Sequence, residues 1–116
     1  MERSKYSAPL DRNGYAPSIM QQDLTRCYLC GRSDERLDRH EVFHADMKGK
    51  QRAKSKQQGL WVCLCHARCH ELGKYAVHRN RDTDLMLKRE AQQRAMDYYG
   101  LTTDEWIAEW GKNFLD

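Results

Sequence analysis

The pattern of hydrophobic and polar positions changes twice along the chain, near residue 26 and near residue 83. Residues 1–25 hold both prolines and scattered aromatic side chains without a clear period, which predicts an extended N-terminal arm, partly ordered. Residues 26–82 contain short apolar runs, and residues 83–116 have a helical period. We therefore predict an arm, a central core and a helical extension packed on that core.

Two short strands are predicted in the central segment. They cover residues 37–43 and residues 59–64, and the second is nearly all apolar and begins at a glycine. The residues between them are polar and basic, which predicts a loop.

Two helices are predicted in the last third of the chain. Apolar residues between Thr83 and Tyr99 fall on one broad arc at about 100° per residue, and Gly100 supplies a stop. Thr102 and Glu105 have the spacing of a capping box. A second amphipathic helix should follow, with its aromatic residues in the core: Trp106, Trp110 and Phe114.

Composition limits the class of protein. A chain of 116 residues with 40% hydrophobic and 32% charged residues predicts one small domain that needs a further source of stability. Its net charge of +3 is only a weak indication of nucleic-acid binding. No run approaches the roughly 18 apolar residues of a membrane span, and the N-terminus lacks a secretory signal. We expect a cytoplasmic protein, with the oligomeric state open.

The five cysteines favour a metal site over disulfides, because their number is odd and they form two close groups. The run CYLCG has the spacing of a zinc knuckle. We favour a structural zinc ion held by Cys27, Cys30, Cys65 and Cys69. Cys63 shares a strand face with Cys65 and is an alternative third ligand, and His66 is an alternative fourth. Such a site would stabilise the fold by on the order of 10 kcal/mol.

All five histidines lie in the same central segment: His40, His44, His66, His70 and His78. Their grouping indicates a second, catalytic metal site with a general base. We interpret His44 and His66 as surface or zinc-side residues.

Four runs across residues 26–80 resemble the HNH (ββα-metal) endonuclease family, especially its small phage-type members: CYLC, LDRHEVF, RAKSKQQGLWVCLC and CHELGKYAVH. The resemblance implies two strands and a helix, with a base histidine and a metal ligand on the first strand and another metal ligand on the helix. It also implies a cysteine knuckle that ties the halves together.

By this resemblance His40 matches the histidine of the first strand and His70 the one on the helix, with His78 as a further ligand. We prefer His40 as the base, with Glu41 or Asp38 near a catalytic Mg²⁺ or Mn²⁺. If His40 binds the metal instead, Glu41 must be the base. Typical members have Asp-His or His-His where this chain has Arg39-His40-Glu41.

Five cations occupy alternate positions between the predicted strands: Lys48, Lys50, Arg52, Lys54 and Lys56. We predict that they contact the phosphates of DNA, and such contacts carry no sequence information.

The sequence thus predicts an α+β fold, a zinc-stabilised ββα-metal core followed by C-terminal helices. The expected function is a metal-dependent endonuclease or nickase that hydrolyses DNA, single-stranded or branched DNA included, with low sequence specificity. The alternatives are a zinc-ribbon adaptor that binds nucleic acid without catalysis and a zinc-built protein-interaction module. The sequence does not distinguish DNA from RNA as the substrate.

Overall fold

The part of the chain that the structure describes forms a small α+β structure with two antiparallel strands and three α-helices. The computed structural model describes Tyr6, residues 8–44 and residues 50–115. The elements are β1 (Leu37–Glu41), α1 (Lys50–Gln57), β2 (Trp61–Cys65), a π-helical segment (His66–Glu71), α2 (Arg81–Tyr99) and α3 (Thr103–Trp110). In the described part of the chain, no helix has the length and apolar character needed to cross a membrane.

The two strands pair with Leu37 opposite Cys65 and Glu41 opposite Trp61. All five residues of β2 are buried, as its apolar sequence predicts. Both strands are shorter than predicted. β1 ends at Glu41, although the Val42 N–H still donates to the Leu60 carbonyl, and β2 begins only after the turn that closes α1.

The prediction of a loop between the strands is wrong for residues 50–57, which form α1. Positions two residues apart on a helix point about 200° apart, so the alternate cations do not line one face. Lys54 faces α3, where its Nζ lies 3.5 Å from Glu109 Oε1. Lys48 lies outside the described residues.

Both predicted C-terminal helices form. α2 begins at Arg81, two residues earlier than predicted, because the Asn80 side chain accepts a hydrogen bond from the Thr83 N–H. It ends at Gly100, whose φ of 67° is left-handed, as predicted. The predicted capping box of Thr102 and Glu105 is present at the start of α3.

Aromatic side chains from the C-terminal region close the core. The Phe43 ring centroid lies 5.6 Å from that of Trp106 and 4.6 Å from that of Trp110. Phe114 lies beyond the end of α3, with its ring 5.4 Å from Phe43. Its N–H donates to the buried Gln92 side chain at 2.7 Å, which holds the segment after α3 against α2.

The described residues of the arm pack along β2 and α1. The Ala16 N–H donates to the Lys56 carbonyl at 2.9 Å, and Trp61 Nε1 donates to the Ala16 carbonyl at 2.8 Å. Ser18 Oγ donates to the Trp61 carbonyl at 2.7 Å. Ala16 and Met20 are buried, so this part of the arm covers the core.

Gly59 should tolerate alanine poorly, because the N-terminal arm packs directly against it. Its φ is +73°, and a Cβ would come within 2.4 Å of the Pro17 carbonyl oxygen. Gly14 is a matched control, with a φ of +88° and no atom within 4 Å of a Cβ. In denaturant unfolding, Gly14→Ala should cost about 1 kcal/mol from backbone strain, and Gly59→Ala roughly 3 kcal/mol or more. Equal losses would contradict the close contact.

Candidate metal centres

Four cysteine side chains converge where the knuckle meets the end of β2: Cys27, Cys30, Cys65 and Cys69. Their sulfur atoms all lie within 4.8 Å of one another. Cys30 Sγ and Cys65 Sγ are 3.8 Å apart. Tetrahedral zinc with Zn–S bonds of about 2.3 Å requires sulfur atoms about 3.8 Å apart, so this cluster could hold a metal ion such as zinc.

The electrostatics of the cluster also suit a cation. Burial opposes ionisation of Cys27, but backbone N–H groups, first that of Cys30, outweigh burial and lower the pKa of Cys27 to about 7. Burial raises the pKa of Cys65 to about 11, and it raises the pKa of Cys69 further. These thiols lose their protons together only if a bound cation offsets the charge, as zinc does.

The two alternative zinc ligands lie outside this cluster. Cys63 is buried opposite Arg39 in the sheet, and its carbonyl accepts the Tyr28 N–H at 2.8 Å, which fixes the knuckle beside β2. The His66 ring bonds to Asp38. The cluster therefore consists of the four favoured cysteines.

Three histidines form a second cluster, which shares the π-helical segment with the first. Ring nitrogens of His40, His70 and His78 all lie within 4.8 Å of one another. His70 Nε2 and His78 Nε2 are 3.0 Å apart, and the His40 ring centroid is 5.3 Å from that of His70 and 5.1 Å from that of His78.

The backbone joins the two clusters. Cys69 and His70 are consecutive, and they pair with the turn before α2 through two hydrogen bonds. The Val77 N–H donates to the Cys69 carbonyl at 2.8 Å, and the His78 N–H donates to the His70 carbonyl at 3.2 Å. The resemblance implied a helix carrying His70, whereas the structure has the π-helical segment there.

His40 is the most enclosed member of the histidine cluster. It is 2% exposed, and its Nε2 has no hydrogen-bond partner in the part of the chain that the structure describes. Burial, followed by the charge of His44 and His70, lowers the pKa of His40 to about 2. A buried, unpartnered nitrogen costs free energy, and a metal ion would satisfy it. The donor set therefore fits a divalent ion.

Neither carboxylate of β1 lies among the three ring nitrogens. Asp38 Oδ2 contacts His66 Nδ1 at 2.5 Å and His70 Nδ1 at 2.9 Å, on the side of His70 away from His78. Glu41 Oε1 lies 3.6 Å from Arg52 Nε.

A cavity of about 320 Å³ opens beside the histidine cluster. Besides His40, His70 and His78, its walls comprise Tyr15, Arg39, Glu41, His44, Arg52 and Glu71. Arg39 is held by Asp11 Oδ2 at 2.8 Å and lies 4.5 Å above the Tyr15 ring centroid. Burial, followed by the Glu41 carboxylate, raises the pKa of Tyr15 to about 12.

Sequence reasoning missed Tyr15, Arg39 and His44 as neighbours of this cavity. His44 Nδ1 lies 3.0 Å from the Glu41 carbonyl, and its ring is 5.2 Å from those of His40 and His78. The signal for His44 in the sequence was its position four residues after His40. No pattern in the sequence around Tyr15 indicated the site, because the N-terminal arm reaches the cavity only through tertiary packing.

Comparisons of the chain with models of known protein families, with curated proteins and with solved structures found no match.

Proposed function

We propose that this protein is a metal-dependent endonuclease or nickase of the HNH type, which hydrolyses phosphodiester bonds in DNA. The observation that carries the proposal is the buried His40 imidazole, which offers a ring nitrogen within 4.8 Å of nitrogens of His70 and His78 beside an open cavity with arginine in its wall. The cysteine cluster would hold a structural zinc ion. It would fix the segment that carries His70.

His40, His70 and His78 would hold the catalytic divalent ion. Such an ion supplies positive charge to the phosphate and to the leaving oxygen. Imidazole ligands suit transition metals better than Mg²⁺, so we expect Mn²⁺ to support the reaction better than Mg²⁺.

With His40 as a ligand, Glu41 takes the role of general base. Glu41 lines the same cavity, its side chain is only 13% exposed, and Arg52 and Tyr15 flank its carboxylate. The carboxylate is thereby held in one place, where it would accept the proton of the attacking water. This assignment replaces the sequence-based preference for His40 as the base, because the nitrogen lone pair that binds the metal is no longer free to accept a proton from water.

Arg52 and Arg39 would bind the phosphates next to the scissile bond. Both residues line the cavity, and their side chains are 58% and 40% exposed. Arginine recognises phosphate through paired N–H donors. The proposal therefore places the backbone of the nucleic acid across the cavity and the N-terminal half of α1.

Arg52→Gln should weaken DNA binding and lower the slope of log K against log salt by about 0.9. Lys54→Gln is the matched control on the same helix. Lys54 is bound to Glu109 and lies 5.4 Å from the Trp110 ring centroid, so its loss should reduce stability and leave the salt slope unchanged. The measurement is a fluorescence titration at several salt concentrations. A lower slope for Lys54→Gln alone would move the DNA-binding surface towards α3.

A cleavage assay on supercoiled plasmid and on single-stranded DNA tests the proposed function. We expect cleavage with Mn²⁺, slower cleavage with Mg²⁺, and none after a mild chelator that leaves zinc in place. Binding without cleavage under every metal condition would contradict the nuclease proposal and favour the zinc-ribbon adaptor.

A further inference from the structure

We infer that Asp38 and His66 are positioning residues that orient His70 for metal binding. The inference rests on the proposed metal site at His40, His70 and His78. It gives Asp38 a different role from that of a metal ligand, and it gives His66 a role that its sequence neighbours do not suggest.

The Asp38 carboxylate links the two histidines of the π-helical segment. Its Oδ2 lies 2.5 Å from His66 Nδ1 and 2.9 Å from His70 Nδ1, and Arg36 Nε donates to Oδ1 at 3.1 Å. Its side chain is only 14% exposed. A carboxylate accepts hydrogen bonds and donates none, so His70 presents Nδ1–H to Asp38. The lone pair of His70 is therefore on Nε2, the atom that faces His78.

The strand supplies both partners of His70. Asp38 and His40 are two residues apart on β1 and lie on one face, so the carboxylate and the buried imidazole reach His70 together. The His66 N–H donates to the Arg36 carbonyl at 2.8 Å, which fixes the start of the π-helical segment beside Asp38. In metalloproteins, a hydrogen bond from the ring nitrogen that does not bind the metal to a neighbouring carboxylate sets the tautomer and ring orientation of a histidine ligand.

A metal ion bound by Asp38, His66 and His70 themselves is the competing arrangement, because these three also offer atoms within 4.8 Å of one another. That ion would take Nδ1 of His70 and leave His40 Nε2 without a partner. The positioning role gives both nitrogens of the His70 ring a partner and includes the buried His40 imidazole in the site, so we favour it.

The test is a Co²⁺ titration of protein that carries one zinc ion per chain, followed by visible absorption and calorimetry. Asp38→Ala should weaken Co²⁺ binding about 10- to 100-fold. His66→Ala should weaken it roughly threefold to tenfold, because His66 acts on His70 only through the carboxylate. Arg36→Ala is the matched control, since Arg36 contacts the other oxygen of Asp38 and is 74% exposed. It should bind Co²⁺ as the wild type does.

His66→Ala keeps the test independent of folding, because His66 is 41% exposed. Its zinc content and melting temperature should equal those of the wild type, while the Co²⁺ absorption bands change in intensity. Wild-type affinity in both Asp38→Ala and His66→Ala would overturn the positioning role while leaving the proposed nuclease intact. Loss of all Co²⁺ binding beyond the cysteines in both Asp38→Ala and His66→Ala would overturn it in favour of the competing site, because each variant would then have lost a metal ligand. A wild type that binds no Co²⁺ beyond the cysteines would remove the inference and the proposed metal site together.

Discussion

Cys69→Ser should unfold the central segment of the protein, whereas Cys63→Ala should leave it folded. Both cysteines are buried, but only Cys69 belongs to the cluster of four sulfur atoms. A structural zinc site contributes roughly 10–16 kcal/mol, as much as the whole stability of a domain of this size. Losing one of four ligands should therefore remove most of the stability, while truncating Cys63 should cost about 1 kcal/mol.

Circular dichroism and elemental analysis of the two variants measure this difference. Cys63→Ala should retain one zinc ion per chain and a cooperative thermal transition. Cys69→Ser should lose both, as should the wild type after a strong chelator. A folded, zinc-free Cys69→Ser variant would show that the aromatic core of Phe43, Trp106 and Trp110 is sufficient, and the role of zinc would then be wrong.

His70→Ala should reduce DNA cleavage by about 10³-fold or more, because one of the three proposed metal ligands is removed. Glu41→Gln should also reduce the rate, by about 10² to 10⁴-fold, since a base is lost. The two variants differ in metal binding: His70→Ala should lose affinity for Mn²⁺, and Glu41→Gln should keep it. Rates and Mn²⁺ affinities measured on the same preparations separate the roles.

Higher Mn²⁺ concentrations distinguish the loss of a metal ligand from the loss of a base. They should restore part of the activity of His70→Ala and none of the activity of Glu41→Gln. Zinc content should be unchanged in both, because neither side chain is in the cysteine cluster. Wild-type cleavage by Glu41→Gln would return the role of base to another residue of the cavity, and wild-type cleavage by His70→Ala would remove the metal site.

The local signals in the sequence were sufficient for much of the fold. Apolar β2, the capping box at Thr102 and the stop at Gly100 all follow from short-range chemistry, and the structure confirms them. The four clustered cysteines could also be predicted from the sequence, because the geometry of a single zinc ion sets the spacing of the cysteines in a zinc knuckle.

Features that depend on tertiary contacts were not predicted. Residues 50–57 have almost no apolar side of their own, so their period did not indicate a helix, and α1 is fixed by contacts such as that of Lys54 with Glu109. In the same way, Asp38 could be recognised as a polar residue near the site but not as the partner of His66 and His70. Those contacts exist only after the π-helical segment folds back on β1.

The central claim is that residues 65–78 contribute to two separate metal sites. Anomalous diffraction from crystals grown with zinc and soaked in Mn²⁺ tests it most directly, because each metal is located at its own absorption edge. We predict a zinc peak among the sulfur atoms of Cys27, Cys30, Cys65 and Cys69, and a manganese peak bounded by nitrogens of His40, His70 and His78. A manganese peak elsewhere, or none at full zinc occupancy, would contradict the claim.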